Sequence, residues 1–208
     1  YLVMLGWSHG DQEIFSIDEM ITKFDIKDVN KSASSINPEK LLWLNQHYIK
    51  HEESSVLAKP LSELFKELKI DIDNGPKLSV LIEVQKQRTE TLVEMAQQSL
   101  FFYKDFDEYD ANAAKKHLRV VVLEPLKSLY DSLMNVDVWE NDILKNIIEE
   151  TAEKFEMKMG KLAQPLRVAV TGAGISPSID DTLRLLGKEK CLKRIDKGIE
   201  FIKNRSSS

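Results

Sequence analysis

The sequence predicts an all-α protein. Three observations carry that prediction. Apolar residues recur at three- and four-residue spacing along most of the chain, capping signals stand at the heads of those stretches, and no segment alternates convincingly with period two. Short strands near Trp7 or Ile14 are the most β structure expected.

Each element has its own signal. Ser16-Ile17-Asp18-Glu19 is a capping box, in which the Ser oxygen takes the N3 amide and the Glu reaches back. It opens a short helix with Met20, Ile21 and Phe24 on one side. Asn37-Pro38 is an N-cap followed by Pro at the first helical position, and its helix carries Leu41, Leu44 and Tyr48. Pro60 bounds a further helix with Leu61, Leu64, Phe65 and Leu68. Gly75-Pro76 is a turn. Two patterned stretches follow, over 77–87 and 90–102, with Arg88 near their junction. Asp110 caps a helix from 111, and others cover 124–134 and 139–156. Gly172 and Gly187 stand where helices should stop, and Ser176-Pro177 restarts one between them. Ser206–Ser208 reads as a disordered tail.

At 208 residues the chain makes one large domain or two small ones. Apolar residues are 42% and charged residues 30%, a mix that excludes a disordered chain. No apolar run reaches the roughly 18 residues of a membrane-crossing helix, and no signal peptide is visible. The single cysteine, Cys191, allows no internal disulfide and fits a reducing compartment. The first residue is Tyr1 rather than Met, so the chain is expected to begin inside a longer protein.

Charge is unevenly spread. The net charge is −5, but residues 1–159 balance at −10 and residues 160–208 at +5. A basic segment on an acidic protein is either a footprint for phosphate or a solvated helix face.

The search for catalytic patterns is mostly negative. There is no G-x-x-x-x-G-K-S/T loop and no G-x-G-x-x-G after a strand. His47 and His51 share a helix face but lack an H-E-x-x-H pattern, which favours an ordinary histidine pair over a metal site. Cys191 sits in a Leu/Ile pattern as a small core residue. Lys158-Met159-Gly160-Lys161 is similar to the ATP-binding lysine loop of class I aminoacyl-tRNA synthetases. It lies far from any nucleotide-binding fold and is read as coincidence.

Two long stretches carry a specific likeness. One is LGWSHGDQEIFS (5–16) with DVNKSASSINPEKLLWLNQHYIK (28–50); the other is GKLAQPLRVAVTGAGISPSID (160–180) with LLGKEKCLKRIDKGIEFI (185–202). In order and spacing they resemble bacterial glutamyl-tRNA synthetase, less closely through 51–156. The resemblance implies the C-terminal part of that enzyme, built as a stem-contact helical region over 1–72 and an α-helical-cage anticodon-binding domain in two subdomains, 73–157 and 158–208. It further implies that the catalytic Rossmann domain lies outside this chain, because histidines 9, 47, 51 and 117 cannot form its H-x-G-H motif. ATP and Mg would then serve the full-length enzyme, with no cofactor or metal in this part. The implied partner is tRNA(Glu), with no DNA and no membrane, and the chain is expected to be a cytoplasmic monomer, inactive by itself.

The resemblance also assigns roles. Lys40 and Trp43, three apart on one helix face, match a helix near the tRNA inner corner. Lys40 would meet a phosphate, and Trp43 would pack on a ribose or base or else in the core. Arg88, in Gln85-Lys86-Gln87-Arg88-Thr89, matches the reader of the third anticodon base. Arg has only donors, and cytosine offers O2 and N3 as acceptors. Arg167 matches another anticodon contact. Ser176, Pro177 and Ile179 match the helix start that lines the base pocket. The competing readings are a helical protein–protein interaction module with no RNA role and a small standalone enzyme, the latter disfavoured by the missing catalytic pattern.

Overall fold

The computed structural model describes residues 1–31 and 35–206. Among them there are twelve α-helices and no β-strand, and helix takes up 67% of the chain. The expectation for Ser207 and Ser208 lies outside the described residues. The only β feature near Trp7 and Ile14 is an isolated bridge, His9 to Gln12.

The N-terminal part is held by local bonds. The capping box forms as expected: the Glu19 amide donates to Ser16 Oγ (3.1 Å) and the Ser16 amide to the Glu19 carboxylate (2.8 Å). It opens α1 (Ile17–Lys23), which buries none of its residues. Its apolar side stays open, with Ile21 74% exposed. Trp7 and Phe15 are buried instead, and Trp7 lies 5.4 Å from Phe15 and 5.7 Å from Phe24 between ring centres. Asn37 caps α2 (Pro38–His51) by accepting the Lys40 amide at 3.1 Å. The Tyr1 hydroxyl meets the Asn37 backbone, so residue 1 closes onto the head of α2.

α3 (Ser54–Glu67) corrects one expectation. Pro60 lies inside this helix rather than at its start. Leu57, Leu61, Leu64 and Phe65 form an apolar stripe that packs on α4 (Leu78–Gln85) and α5 (Leu92–Gln98). Pro60 is on the exposed side, and packing of the opposite apolar stripe outweighs the bond it removes. α6 (Leu100–Tyr103) follows directly on α5. Asp110 caps α7 (Ala111–His117), accepting the Ala113 amide at 2.7 Å.

The remaining helices wrap α10 (Met159–Thr171). α7, α8 (Leu123–Met134), α9 (Asn141–Lys154), α11 (Ile179–Leu186) and α12 (Lys188–Ser206) all contact it. α10 buries residues all round, from Leu162 through Thr171 with few breaks, as a central helix must. Gly198 of α12 lies so close to Ala169 that an added Cβ would come within 2.9 Å of the Ala169 methyl. α12 presents Cys191, Ile195, Ile199 and Ile202, at spacings of three and four. One buried cluster runs from Ile49 to Ile202.

Candidate nucleic-acid interface

Arg167 organises the turn after α10. The helix stops at Gly172, whose φ of +78° is left-handed and open to glycine at little cost. The chain reverses and lies back along α10. There one terminal nitrogen of Arg167 donates to the carbonyls of Ser176 (3.1 Å) and Pro177 and to the Ser176 hydroxyl. The Ser176 hydroxyl also lies 2.9 Å from that of Thr182. The helix restarts two residues later than expected: Ser178, not Ser176, is the N-cap of α11. Ser178 takes the Asp181 amide at 3.3 Å and donates to its carboxylate at 2.7 Å.

This arrangement separates scaffold from surface. Ser176, Pro177 and Ile179 are buried, with Ser176 6% and Ile179 4% exposed. They shape the turn. The exposed apolar tip is Ile175, at 70%. It stands inside the quoted TGAGISPSID stretch, and an isoleucine between a glycine and a serine in a loop is the signal that marks it.

Arg88 acts on this site from an earlier segment of the chain. It sits in the turn after α4, exposed, with its amide bonded to the Gln85 carbonyl at 2.8 Å. The turn is anchored beneath. Gln85 and Thr89 are buried, Gln85 donates to Ser99 Oγ at 3.0 Å, and the Thr89 hydroxyl donates to the Gln85 carbonyl at 3.3 Å. Burial first, and then the like charge of Arg88, hold the Arg167 guanidinium below its ordinary value, while Asp180 acts the other way. The two guanidinium groups therefore feel each other's charge, with Arg167 held at the turn before α11. Such a pair attracts acceptor-rich, anionic ligands.

Lys40 and Trp43 lie on α2. Lys40 pairs with Glu13 at 2.6 Å, both partly exposed. A surface pair of this kind is worth about 0–1 kcal/mol, so a phosphate can displace the carboxylate at little cost. Trp43 is 42% exposed and is not a core residue. Its ring lies 6.2 Å from that of His47, which stacks on His51 at 4.1 Å, so three rings step along the helix surface. Asn45 on the same helix donates to the Glu90 carbonyl at 2.5 Å, which ties α2 to the segment carrying Arg88.

The basic C-terminal charges go elsewhere. On α12, Lys188 donates to the Val136 carbonyl and Lys190 to that of Phe102. Arg194, almost fully buried, binds Asp105 at 2.8 Å and the carbonyls of Phe101, Val170 and Lys104. Lys197 donates to the carbonyls of Phe106 and Asp107. These cations hold the fold together. Burial pushes the Cys191 thiol far above its ordinary range, as befits a core residue. Among the described residues no cluster of three or more His, Cys, Asp or Glu is placed to hold a metal.

The family model for the anticodon-binding domain matches residues 55–199. A glutamate–tRNA ligase of Legionella pneumophila (strain Philadelphia 1) is 52% identical over 207 residues, covering 100% of this chain and 44% of that protein. A glutamate–tRNA ligase of Coxiella burnetii (strain Dugway) is 48% identical over 202 residues, covering 97% and 43%. The crystal structure of a glutamate–tRNA ligase from Elizabethkingia meningosepticum matches with a TM-score of 0.88 at 29% identity, over 97% of this chain and 40% of that one. The chain thus spans less than half the length of the relatives it matches.

Proposed function

The chain belongs to the anticodon-binding domain family, and from that premise we propose that it is the tRNA-reading part of a glutamate–tRNA ligase. The ligase would join glutamate to tRNA(Glu) with ATP and Mg, on a catalytic unit outside this chain. This part would supply recognition and no cofactor chemistry. The observation that carries the reading is the juxtaposition of Arg88 and Arg167 beside the turn at 175–179. Two donor-only side chains, widely separated in the chain, act on each other's charge there.

Roles follow from position. Residues 1–72 would approach the tRNA stem, with Lys40 on a phosphate and Trp43 on a ribose or base. Residues 73–157 and 158–208 would hold the anticodon between them. Arg88 would read the third anticodon base, which is C in glutamate tRNAs and G in glutamine tRNAs. Arg167 supports the turn through one nitrogen and offers the others to a neighbouring base. Ser176, Pro177 and Ile179 would form the pocket wall from behind, and Ile175 would touch the RNA directly. The family match gives the interaction-module reading no support.

Binding of tRNA(Glu) to the 208-residue chain, followed as salt is raised, tests the proposal. Affinity should fall steeply with salt as phosphate counterions are retained. No binding even at low salt would refute it.

A further inference from the structure

We propose that the cleft between the end of α7 and the head of α10 holds a stretch of the same RNA strand beside the anticodon, its phosphates on four cations and one unstacked base on an apolar floor. The inference rests on the tRNA-reading role proposed above. The cleft measures about 790 Å³ and lies between the 116–125 and 155–165 segments. Lys116, Arg119, Lys158 and Lys161 line it, all exposed. Phe155, Met157, Pro125 and Pro165 supply the apolar surface.

Among the described residues these four cations differ from the paired ones by having no partner, and from other unpaired ones by lining one cleft together. Lys23, Lys66, Lys86, Lys127 and Lys203 each have a carboxylate within 4 Å on their own helix or turn, and the α12 cations reach carbonyls. The side chains of Lys116, Arg119, Lys158 and Lys161 have neither kind of partner among the described residues. Two carboxylates also line the cleft. Glu124 is engaged by Lys127 at 2.6 Å, which leaves Glu156 alone against four positive charges.

The fold concentrates this charge at some cost. Glu156 ends α9 with a left-handed φ of +52°, and the Met157 amide bonds back to the Ala152 carbonyl at 2.9 Å. That turn delivers Lys158 to the N-cap of α10, where it offers no side-chain acceptor to the first-turn amides. A lysine at the N-cap and another one turn on oppose the positive end of the helix dipole. An anion at this point removes the conflict. His117, at the rim, reports the same field. Burial first, and then the charges of Lys116 and Arg119, hold its imidazole below the ordinary value.

The direction of the strand is set by α10. Gln164 lines the cleft, and Arg167 stands three residues later, next to it on the helix surface. A strand read at Arg167 therefore continues past Gln164 toward Lys161 and Lys158. A free phosphate would cover the cations and leave the floor bare. A nucleotide covers both, because every base has a face to lay on an aromatic or apolar wall.

The test is binding of an anticodon stem-loop RNA to the whole chain, with Lys116, Arg119, Lys158 and Lys161 all changed to Ala. All four are surface residues, and a thermal melt checks that the fold is kept. Affinity should drop roughly tenfold or more, and the slope of log affinity on log salt should shrink by about 0.7 for each single-strand phosphate lost. Preference between stem-loops differing at the third anticodon base should not change, since phosphate contacts carry no base identity. Restoring charge with Lys158→Arg and Lys161→Arg, in the presence of native Lys116 and Arg119, should keep native binding. Unchanged affinity and slope in the quadruple variant, with RNA still bound and the base preference intact, would overturn this cleft alone. Failure of the unsubstituted chain to bind any RNA would overturn both this inference and the function on which it rests.

Discussion

Arg88→Gln tests the base-reading role with little disturbance of the fold. The side chain is exposed, and the backbone amide bond to the Gln85 carbonyl is one the substitution keeps. Its effect on stability should therefore stay within about 0.5 kcal/mol. One local change is expected: with the like charge gone, the Arg167 guanidinium loses one of the two influences that hold it below its ordinary value. The effect on recognition is different in kind. Glutamine both donates and accepts, so it can meet the Watson–Crick edge of guanine, with O6 as acceptor and N1–H and N2–H as donors, whereas Arg on that edge can serve only O6. Losing one good base contact removes about 1–3 kcal/mol of discrimination, or roughly 5–150-fold. The assay is the ratio of dissociation constants for two stem-loops, identical except for C or G at the third anticodon position. The ratio should fall by more than the overall affinity does. An unchanged ratio would refute the assignment of Arg88, and the same ratio can be measured as aminoacylation in a full-length ligase.

If Lys40 meets a phosphate as proposed, Lys40→Ala should weaken both stem-bearing tRNAs alike and flatten the salt slope, losing besides only a weak surface pair with Glu13. Gly172→Ala should destabilise the chain by about 1–2 kcal/mol from the left-handed backbone alone. The added Cβ would also fall 2.9 Å from the Phe106 ring, so the loss in a denaturant titration should exceed that figure. Acid should weaken the fold through Asp105, whose carboxyl the Arg194 hydrogen bond holds below its ordinary 3.8. A lowered folded value means the contribution is present above the unfolded value and is lost as pH falls through the folded one. Asp105→Asn should therefore flatten the fall in melting temperature below about pH 4, modestly, since Asp105 is largely exposed.

Helices were legible in the residues wherever a local signal fixed them. The Ser16 box, the Asn37 and Asp110 caps and the Gly172 and Gly187 stops are each decided by bonds within one turn. Pro60 misled because the outcome there depends on packing against α4 and α5, which a local rule does not contain. The restart at Ser178 rather than Ser176 has a similar cause. Both serines can cap, but Ser176 is drawn into the interior by Arg167 and Thr182, and only Ser178 is left at the helix head. The site was legible only in pieces. Arg88 and Arg167 were singled out through their motifs, whereas the influence of one charge on the other is a product of the fold.

The charge asymmetry shows why composition locates a footprint poorly. The +5 balance of residues 160–208 left two readings, a phosphate footprint or a solvated helix face. Yet Lys193, Arg194 and Lys197 close onto the loop at 101–107, to Asp105 and to its carbonyls. A buried arginine is tolerable only when paired in this way, so those charges are bound into folding energy and unavailable to a ligand. Free positive charge collects instead where opposite neighbours are scarce. Lys116 and Arg119 belong to the half of the chain with a balance of −10, and Lys158 to its last residues. Affinity for an anion depends on cations without partners at one place on the surface, and a sum over sequence cannot distinguish those from cations already engaged.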